Sequence, residues 1–381
     1  MTSTNLPDPI LVKEPSALRQ LADELMKEPI VAVDTESNSL YAYQEQVCLI
    51  QFSTPEEDIL VDPLAIEDMS PLGPLFSSPE VEKVFHAAEY DVMCMKRDFD
   101  FQFSHLFDTM LAARILGRNK TGLGSLLEAE FDVQVNKRYQ RANWGQRPLP
   151  DDLLSYARLD THYLIPLRNR LMVELKEQSR WALAAEDFER LRHANGKITE
   201  NNTHDVEAEC WRINGAYDLD PQNAAVLHEL CKYRDQMARR MDRPLFKVIG
   251  NRSLLAIAEA CPRNFSELKK LPGMSSRQVR RHGKALLSAV RRGLQAEPMA
   301  PPRSPRPEED FLIRLDRLKN WRKRTARGMG VKSDVVLPKD LMLDIAQSGP
   351  NDRQELKRLL ADSPDRLDRF GDKILDVISR A

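Results

Sequence analysis

Asp34-Thr35-Glu36 closes a short apolar run, Ile30-Val31-Ala32-Val33, that reads as a buried strand. Side chains alternate faces along a strand, so Asp34 and Glu36 project the same way. Two carboxylates side by side repel each other unless a cation lies between them. An edge strand running into solvent would end in the same residues with no chemistry, and the pair alone does not decide. Three further places answer it. Asp91 stands where a strand, Val81 to Phe85, hands over to a helix from Tyr90 to Phe99. Tyr156 and Asp160 fall on a long helix from Asp151 to Lys176, where a spacing of four puts them on one face. Asp108 lies at a helix start, and there an N-cap accepting backbone hydrogen bonds is preferred to a ligand. Asp34, Glu36, Asp91 and Asp160 are oxygen donors suited to Mg²⁺ or Mn²⁺ rather than zinc. Two such ions can activate a water and stabilise the leaving oxygen of a phosphodiester. Each acid taken singly is an ordinary surface charge; order and spacing together carry the reading.

The elements that must position these residues follow from apolar patterning. Ser16 to Lys27 reads as an amphipathic helix with Leu18, Leu21, Ala22 and Leu25 on one face. Val47 to Phe52 and Ile59 to Val61 are two further strands which, with the first, suggest an antiparallel meander. Helices follow at Met110 to Leu116 and Leu123 to Phe131, then the long one bearing Tyr156. Strands first and helices packed over them make an α/β or α+β domain of roughly 200 residues; the ribonuclease H-like resemblance given below implies an α/β fold with a mixed sheet. A charged helical connector, Trp181 to Arg212 with a break at Gly196, leads to two smaller helical units of similar layout. Five prolines between Pro298 and Pro307 stiffen the link between those units. The expected domains are therefore 1–209, 210–296 and 308–381, with 297–307 as linker.

Charge divides along the same lines. Residues 1–209 hold 21 Lys and Arg against 36 Asp and Glu, a balance of −15, whereas 210–295 hold 17 against 7, or +10. An acidic front suits metal ions and a basic rear suits a phosphate backbone, although two solvated surfaces of opposite sign fit the count as well. The start of the chain lacks the pattern of a signal peptide, and no run approaches the roughly 18 apolar residues of a membrane helix. The five cysteines are never spaced as Cys-x-x-Cys. That spacing argues against zinc or a disulfide framework and for a reducing cytoplasm.

Asp34-x-Glu36, Tyr90-Asp91 and Tyr156-x-x-x-Asp160, in that order, resemble the three motifs of the DEDD exonuclease superfamily, whose fold is ribonuclease H-like. His86 stands four before the aromatic of the second motif, as in ribonuclease D-like members. The third motif is of the tyrosine branch, because Ser155 holds the place five before Asp160 and His162 comes after it. The resemblance implies that Asp34, Glu36, Asp91 and Asp160 bind two metal ions and that Tyr156 orients the attacking water. A phenol with a pKa of about 10 is an orienter before it is a base. A basic stretch from Asn136 to Trp144, leading into Arg147-Pro148-Leu149, is also ribonuclease D-like, with Asn143-Trp144 where an Asp-Trp is expected. Lys137 and Arg141 could grip phosphates there, and Trp144 either stacks a base or packs the core, with packing preferred. Arg234, Arg239 and Arg240, then Leu271-Pro272-Gly273 and His282-Gly283-Lys284, resemble the HRDC domain of RecQ helicases. Arg322 to Arg324, Leu337-Pro338-Lys339 and Phe370-Gly371 resemble a weaker second copy, either a phosphate binder or a packing unit.

The resemblance implies a 3′→5′ exoribonuclease that uses two divalent ions, Mg²⁺ or Mn²⁺, and releases nucleoside 5′-monophosphates. Its expected partner is RNA with a single-stranded 3′ end, tRNA precursors in particular, with no membrane and no obligate protein partner. His86, Lys137, Arg141, Arg234, Arg239, Arg240 and Lys284 are the expected substrate contacts. A DNA exonuclease would use the same carboxylates, and a silent nucleic-acid-binding protein would keep only the basic modules. A helicase role is disfavoured because no Gly-x-x-x-x-Gly-Lys phosphate loop is present.

Overall fold

A computed structural model describes residues 6–135, 137–194, 205–302 and 307–379. The chain forms two units, one of residues 1–37, 47–196 and 306–381, the other of 38–46 and 197–305. The first is built on a six-stranded mixed sheet. Its strands are β1 (Ile10–Val12), β2 (Ile30–Ser37), β3 (Val47–Ser53), β4 (Asp58–Val61), β5 (Glu82–Phe85) and β6 (Leu106–Asp108), in spatial order β1-β4-β3-β2-β5-β6. β2, β3 and β4 form the anticipated antiparallel meander, with Val33 opposite Phe52 and Phe52 opposite Ile59. β5 then pairs parallel with β2 and β6 with β5, so β2 lies inside the sheet, flanked by β3 and β5. The three-residue strands β1 and β6 were not anticipated; neither is long enough to show a period of two.

Alternation along β2 sorts its residues between two cores. Val31 and Val33 pack with Leu18, Leu21 and Leu25 of helix Pro15–Leu25. Ala32 faces the other way, into a core with Val84, Phe107, Leu164, Leu167 and Leu171. The long helix expected from Asp151 to Lys176 is three pieces, Asp151–Ala157, Leu159–His162 and Leu164–Glu177. The second break has a direct cause. Pro166 lacks an N–H, and its ring would clash with the carbonyl of His162, so Tyr163 leaves the helical conformation at φ −96° and ψ 0°.

Helices Glu309–Met329, Lys339–Ser348 and Pro364–Ser379 of the first unit enclose their own core around Leu318, Trp321, Ile345 and Ile374. Val335, from the short helix Ser333–Val336 after the first of these, is buried in the core behind the sheet. The second unit is helical, built around Pro221–Met241 and Ser276–Gln295, with Leu230, Leu254, Ile257, Leu268 and Leu286 fully buried between its helices. Here Cys210 and Cys231 are disulfide-bonded, which departs from the expectation drawn from cysteine spacing, against a disulfide framework. Packing of helix Val206–Trp211 on Pro221–Met241 brings their Cα atoms to 6.0 Å, a proximity that a separation of 21 residues does not announce. The expected break at Gly196 lies outside the described residues. No helix among the described residues is long and apolar enough to cross a membrane.

Candidate active site

Asp34 and Glu36 share the parity of Ala32, so β2 presents them on the face covered by the helices that follow Asp151. There the carboxylate oxygens of Asp34, Glu36 and Asp160 all lie within 4.8 Å of one another. Burial, followed by repulsion from the neighbouring carboxylates, holds Asp34 and Glu36 well above the usual carboxylate range. Asp160 is pushed up to about 7, again mainly by burial. Acids that raise one another in this way fit a shared divalent cation, whose charge would relieve both the repulsion and the lost hydration.

Asp91 sits in the first turn of helix Glu89–Phe99, and its carboxyl is also raised to about 7 by burial. It acts electrostatically on both Asp34 and Glu36 but stands outside the group of three. Thr35 accounts for its placement: the Thr35 hydroxyl donates to Asp91 Oδ1. The residue between the two acids of the motif thus ties the strand to the helix. Nothing in its side-chain type announces that role.

Tyr156 and Asp160 meet despite the broken helix, because Arg158 at the first break keeps a right-handed helical conformation, φ −61° and ψ −29°. The Tyr156 hydroxyl donates to Asp160; burial and the nearby acids raise its pKa, which keeps the phenol neutral. Its ring is buried against Tyr139 (5.5 Å between centroids) and Trp144 (6.3 Å). Trp144 is 1% exposed, so it packs rather than stacks on a ligand. The residues after Asp160 fasten it to the sheet. Thr161 Oγ1 lies 2.7 Å from Ser53 Oγ, and His162 Nδ1 lies 2.9 Å from Asp58 Oδ2, at the facing ends of β3 and β4. His162 is thus a structural partner of Asp58. Arg147 secures the segment before Tyr156, with two contacts of 2.7 and 2.6 Å to Asp62 and one of 2.7 Å to the Cys48 carbonyl.

Asp108 caps helix Thr109–Ile115 through the Leu111 N–H (2.9 Å), as expected, and does more. Its second oxygen accepts from the Ala88 N–H at 2.7 Å, and the Ala87 N–H also reaches it. Ala87 has φ +65°, a left-handed conformation costly for a residue with a Cβ, at the turn that carries the chain from β5 towards Asp91. Asp108 holds that turn in place. His86 beside it is half-buried, with Nδ1 2.9 Å from Thr109 Oγ1. The Thr109 hydroxyl gives its one hydrogen to the Phe85 carbonyl (3.0 Å), so His86 Nδ1 must carry a proton and Nε2 is left as an acceptor.

The expected basic contacts divide. Arg234 is 3% exposed and turns inward, donating to Asn251 Oδ1 at 2.5 Å; it supports the helical core and is removed from the surface set. Arg239 is exposed but lies beside Tyr43 and Asp235, within its own unit. Arg141, Arg240 and Lys284 are exposed, and the Lys137 side chain lies outside the described residues. In the C-terminal helices Arg322 donates to the Leu337 carbonyl at 2.8 Å.

Comparison with known proteins agrees with this geometry. Residues 9–176 match the family described as 3′-5′ exonuclease, and 223–290 and 312–378 each match the HRDC domain. Ribonuclease D of Haemophilus influenzae is 31% identical over 281 residues, spanning 74% of this chain and 69% of that one. The catalytic core of RRP6 from Trypanosoma brucei is similar in structure, with a TM-score of 0.66 and 30% identity, covering 76% of this chain and 81% of that one. RNase D of Escherichia coli, 24% identical, shares the fold over 98% of this chain and 99% of that one, with a TM-score of 0.69. The chain spans only 31–46% of the length of the RRP6-like proteins of Arabidopsis thaliana and Saccharomyces cerevisiae that it matches. Sheet, acids and trailing helical domains together define a DEDD-type exonuclease with a ribonuclease H-like core and two HRDC domains. Within that class, the chain belongs to the ribonuclease D family.

Proposed function

We propose that the protein is a 3′→5′ exoribonuclease that removes nucleoside 5′-monophosphates from RNA with a single-stranded 3′ end. The observation that carries the reading is the convergence of Asp34, Glu36 and Asp160 within 4.8 Å, with the Tyr156 hydroxyl on the last of them. Asp34, Glu36, Asp91 and Asp160 would hold two divalent ions, Mg²⁺ or Mn²⁺ by the hardness of the donors. Ions bound there would lower the pKa of water and neutralise charge developing on a phosphodiester. Tyr156, neutral and fixed by Asp160, offers its oxygen as a hydrogen-bond partner for the attacking water. A phenol, with an ordinary pKa of about 10, is a positioning group before it is a proton acceptor. Arg240 and Lys284, exposed on the basic first HRDC domain, are proposed to supply positive charge for an RNA backbone.

The E. coli RNase D that shares the fold is described as an exoribonuclease involved in structured RNA processing; tRNA precursors are the substrate that the ribonuclease D resemblance implies. The test is digestion of one RNA carrying a 5′ label or a 3′ label, with and without EDTA, beside a DNA of the same sequence. We expect immediate release of the 3′ label as mononucleotide, a descending ladder from the 5′ label, and no reaction in EDTA. Cleavage that persists in EDTA, or that begins inside the strand, would overturn the assignment. Faster digestion of the DNA would move it to a DNA exonuclease.

A further inference from the structure

The first HRDC domain carries a groove of about 390 Å³ lined by Phe265, Lys269, Ser276, Val279, Arg280 and Lys284. Phe265 opens helix Phe265–Lys269, capped by Asn264, whose side chain accepts from the Glu267 N–H at 3.0 Å. Its ring is 52% exposed, an unusual place for a large apolar side chain. It is nevertheless held firmly. A Cβ added at Gly283 would stand 2.8 Å from Phe265 Cε1, so the ring sits directly on the backbone of helix Ser276–Gln295. Glycine inside a helix is the least favourable choice short of proline, and here it makes the seat for an aromatic surface. Around that ring stand three exposed cations. Arg280 and Lys284, four apart, share a face of the long helix, and Lys269 faces them from the short one. Among the described residues none of the three forms an ion pair, and no acid lines the groove.

We infer that this groove is a single-stranded RNA site in which one base stacks on Phe265 while Lys269, Arg280 and Lys284 hold the adjacent phosphates. Charge complementarity selects a polyanion. A fixed, half-open aromatic ring selects one with flat bases, because stacking on an aromatic is open to every base. An acidic peptide or an anionic bilayer would also meet the cations, and each is an outcome that the test distinguishes from RNA. The site deepens the exoribonuclease reading and rests on it for the identity of the strand, yet binding can be read without hydrolysis.

The experiment uses the full chain carrying Asp34→Asn, so that RNA stays intact, and follows a labelled single-stranded 16-mer by fluorescence anisotropy. Phe265→Leu keeps an apolar group on Gly283 but removes the π-face. It should weaken binding about 5- to 150-fold, the range spanned by one base–aromatic contact. Phe265→Trp should retain affinity, and its added indole emission should change when RNA binds. Replacing Lys269, Arg280 and Lys284 together by Gln should make the salt dependence shallower by about 2 in log–log slope. Equal binding by the Leu variant and the parent would overturn the inference, as would a groove that the Gln variant shows to serve anionic vesicles or acidic peptides instead. Hydrolysis by the unmodified chain is scored separately. Failure there refutes the nuclease reading, whereas failure of the anisotropy series refutes this site alone.

Discussion

At the level of single residues, the acids are opposed to stability in the same measure as they serve function. Asp34, Glu36 and Asp160 are raised by burial and by one another, so removing one charge should relieve the other two. Asp34→Asn and Asp160→Asn are expected to abolish RNA digestion while raising the unfolding midpoint in EDTA. Calorimetry beside a digestion assay checks both, and a destabilised Asn variant would count against the clustering. Tyr156→Phe removes the hydroxyl and keeps the packing on Tyr139 and Trp144. Turnover should fall about 10- to 100-fold with little change in RNA affinity, which separate kcat and binding measurements would show. His86 gives a pH dependence of known sign. Burial lowers its pKa from 6.5 to about 4, so the folded chain binds fewer protons than the unfolded one between those values. Its contribution to stability is present above pH 6.5 and is lost as the pH falls towards 4. Relative to His86→Gln, the parent should therefore lose stability across that interval; parallel curves from urea titrations would remove the assignment.

At the level of elements, what was legible in the sequence depended on whether the deciding partner was local. The strand Ile30 to Glu36 and the shared face of its two acids follow from alternation, and the meander follows from short turns between apolar runs. Pro166 could have predicted the break after His162, but apolar residues recurring on both sides of it carried the helix across. Long-range partners left no such mark. Arg234 looked like surface charge because its recipient, Asn251, is 17 residues away, and the pairing of Cys210 with Cys231 needed two helices to be packed first. Arg147 belongs to this group too. It stood out only as a basic residue after a ribonuclease D-like stretch, yet it is a two-pronged clamp on Asp62, which is 1% exposed. Arg147→Ala would leave that carboxylate buried and unpaired, at a cost of about 2–4 kcal/mol. It should also loosen the segment before Tyr156. Urea unfolding measures the first effect, and hydrogen exchange at Trp144 and Leu149 the second. A change under 0.5 kcal/mol would mean that the clamp is incidental.

At the level of the whole first unit, the C-terminal helical domain behaves as a packed part of the exonuclease. Polar contacts join the two parts: Arg114 pairs with Asp334, Arg190 with Asp340, and Arg180 donates to the Met329 carbonyl at 2.8 Å. The centre is Arg366, fully buried, with contacts of 2.8 Å to Glu186 and 2.9 Å to Asp187 and a further donation to the Val335 carbonyl at 3.0 Å. Nothing around Arg366 in the sequence distinguishes it from the exposed Arg369 turn beside it; its partners lie about 180 positions earlier. Burying three charges together costs hydration that their attraction only partly restores, so the cluster is worth more for fixing the docked arrangement than for net stability. Arg366→Met separates the two contributions. It strands Glu186 and Asp187 without a counter-charge and should destabilise the unit by about 3–5 kcal/mol, seen as a lower urea midpoint. Adding Glu186→Gln and Asp187→Asn to that variant should recover much of the loss, because uncharged groups no longer demand the guanidinium. If the triple variant stays as weak as Arg366→Met alone, the loss came from a cavity at position 366 and the ion cluster does not hold the domain in place.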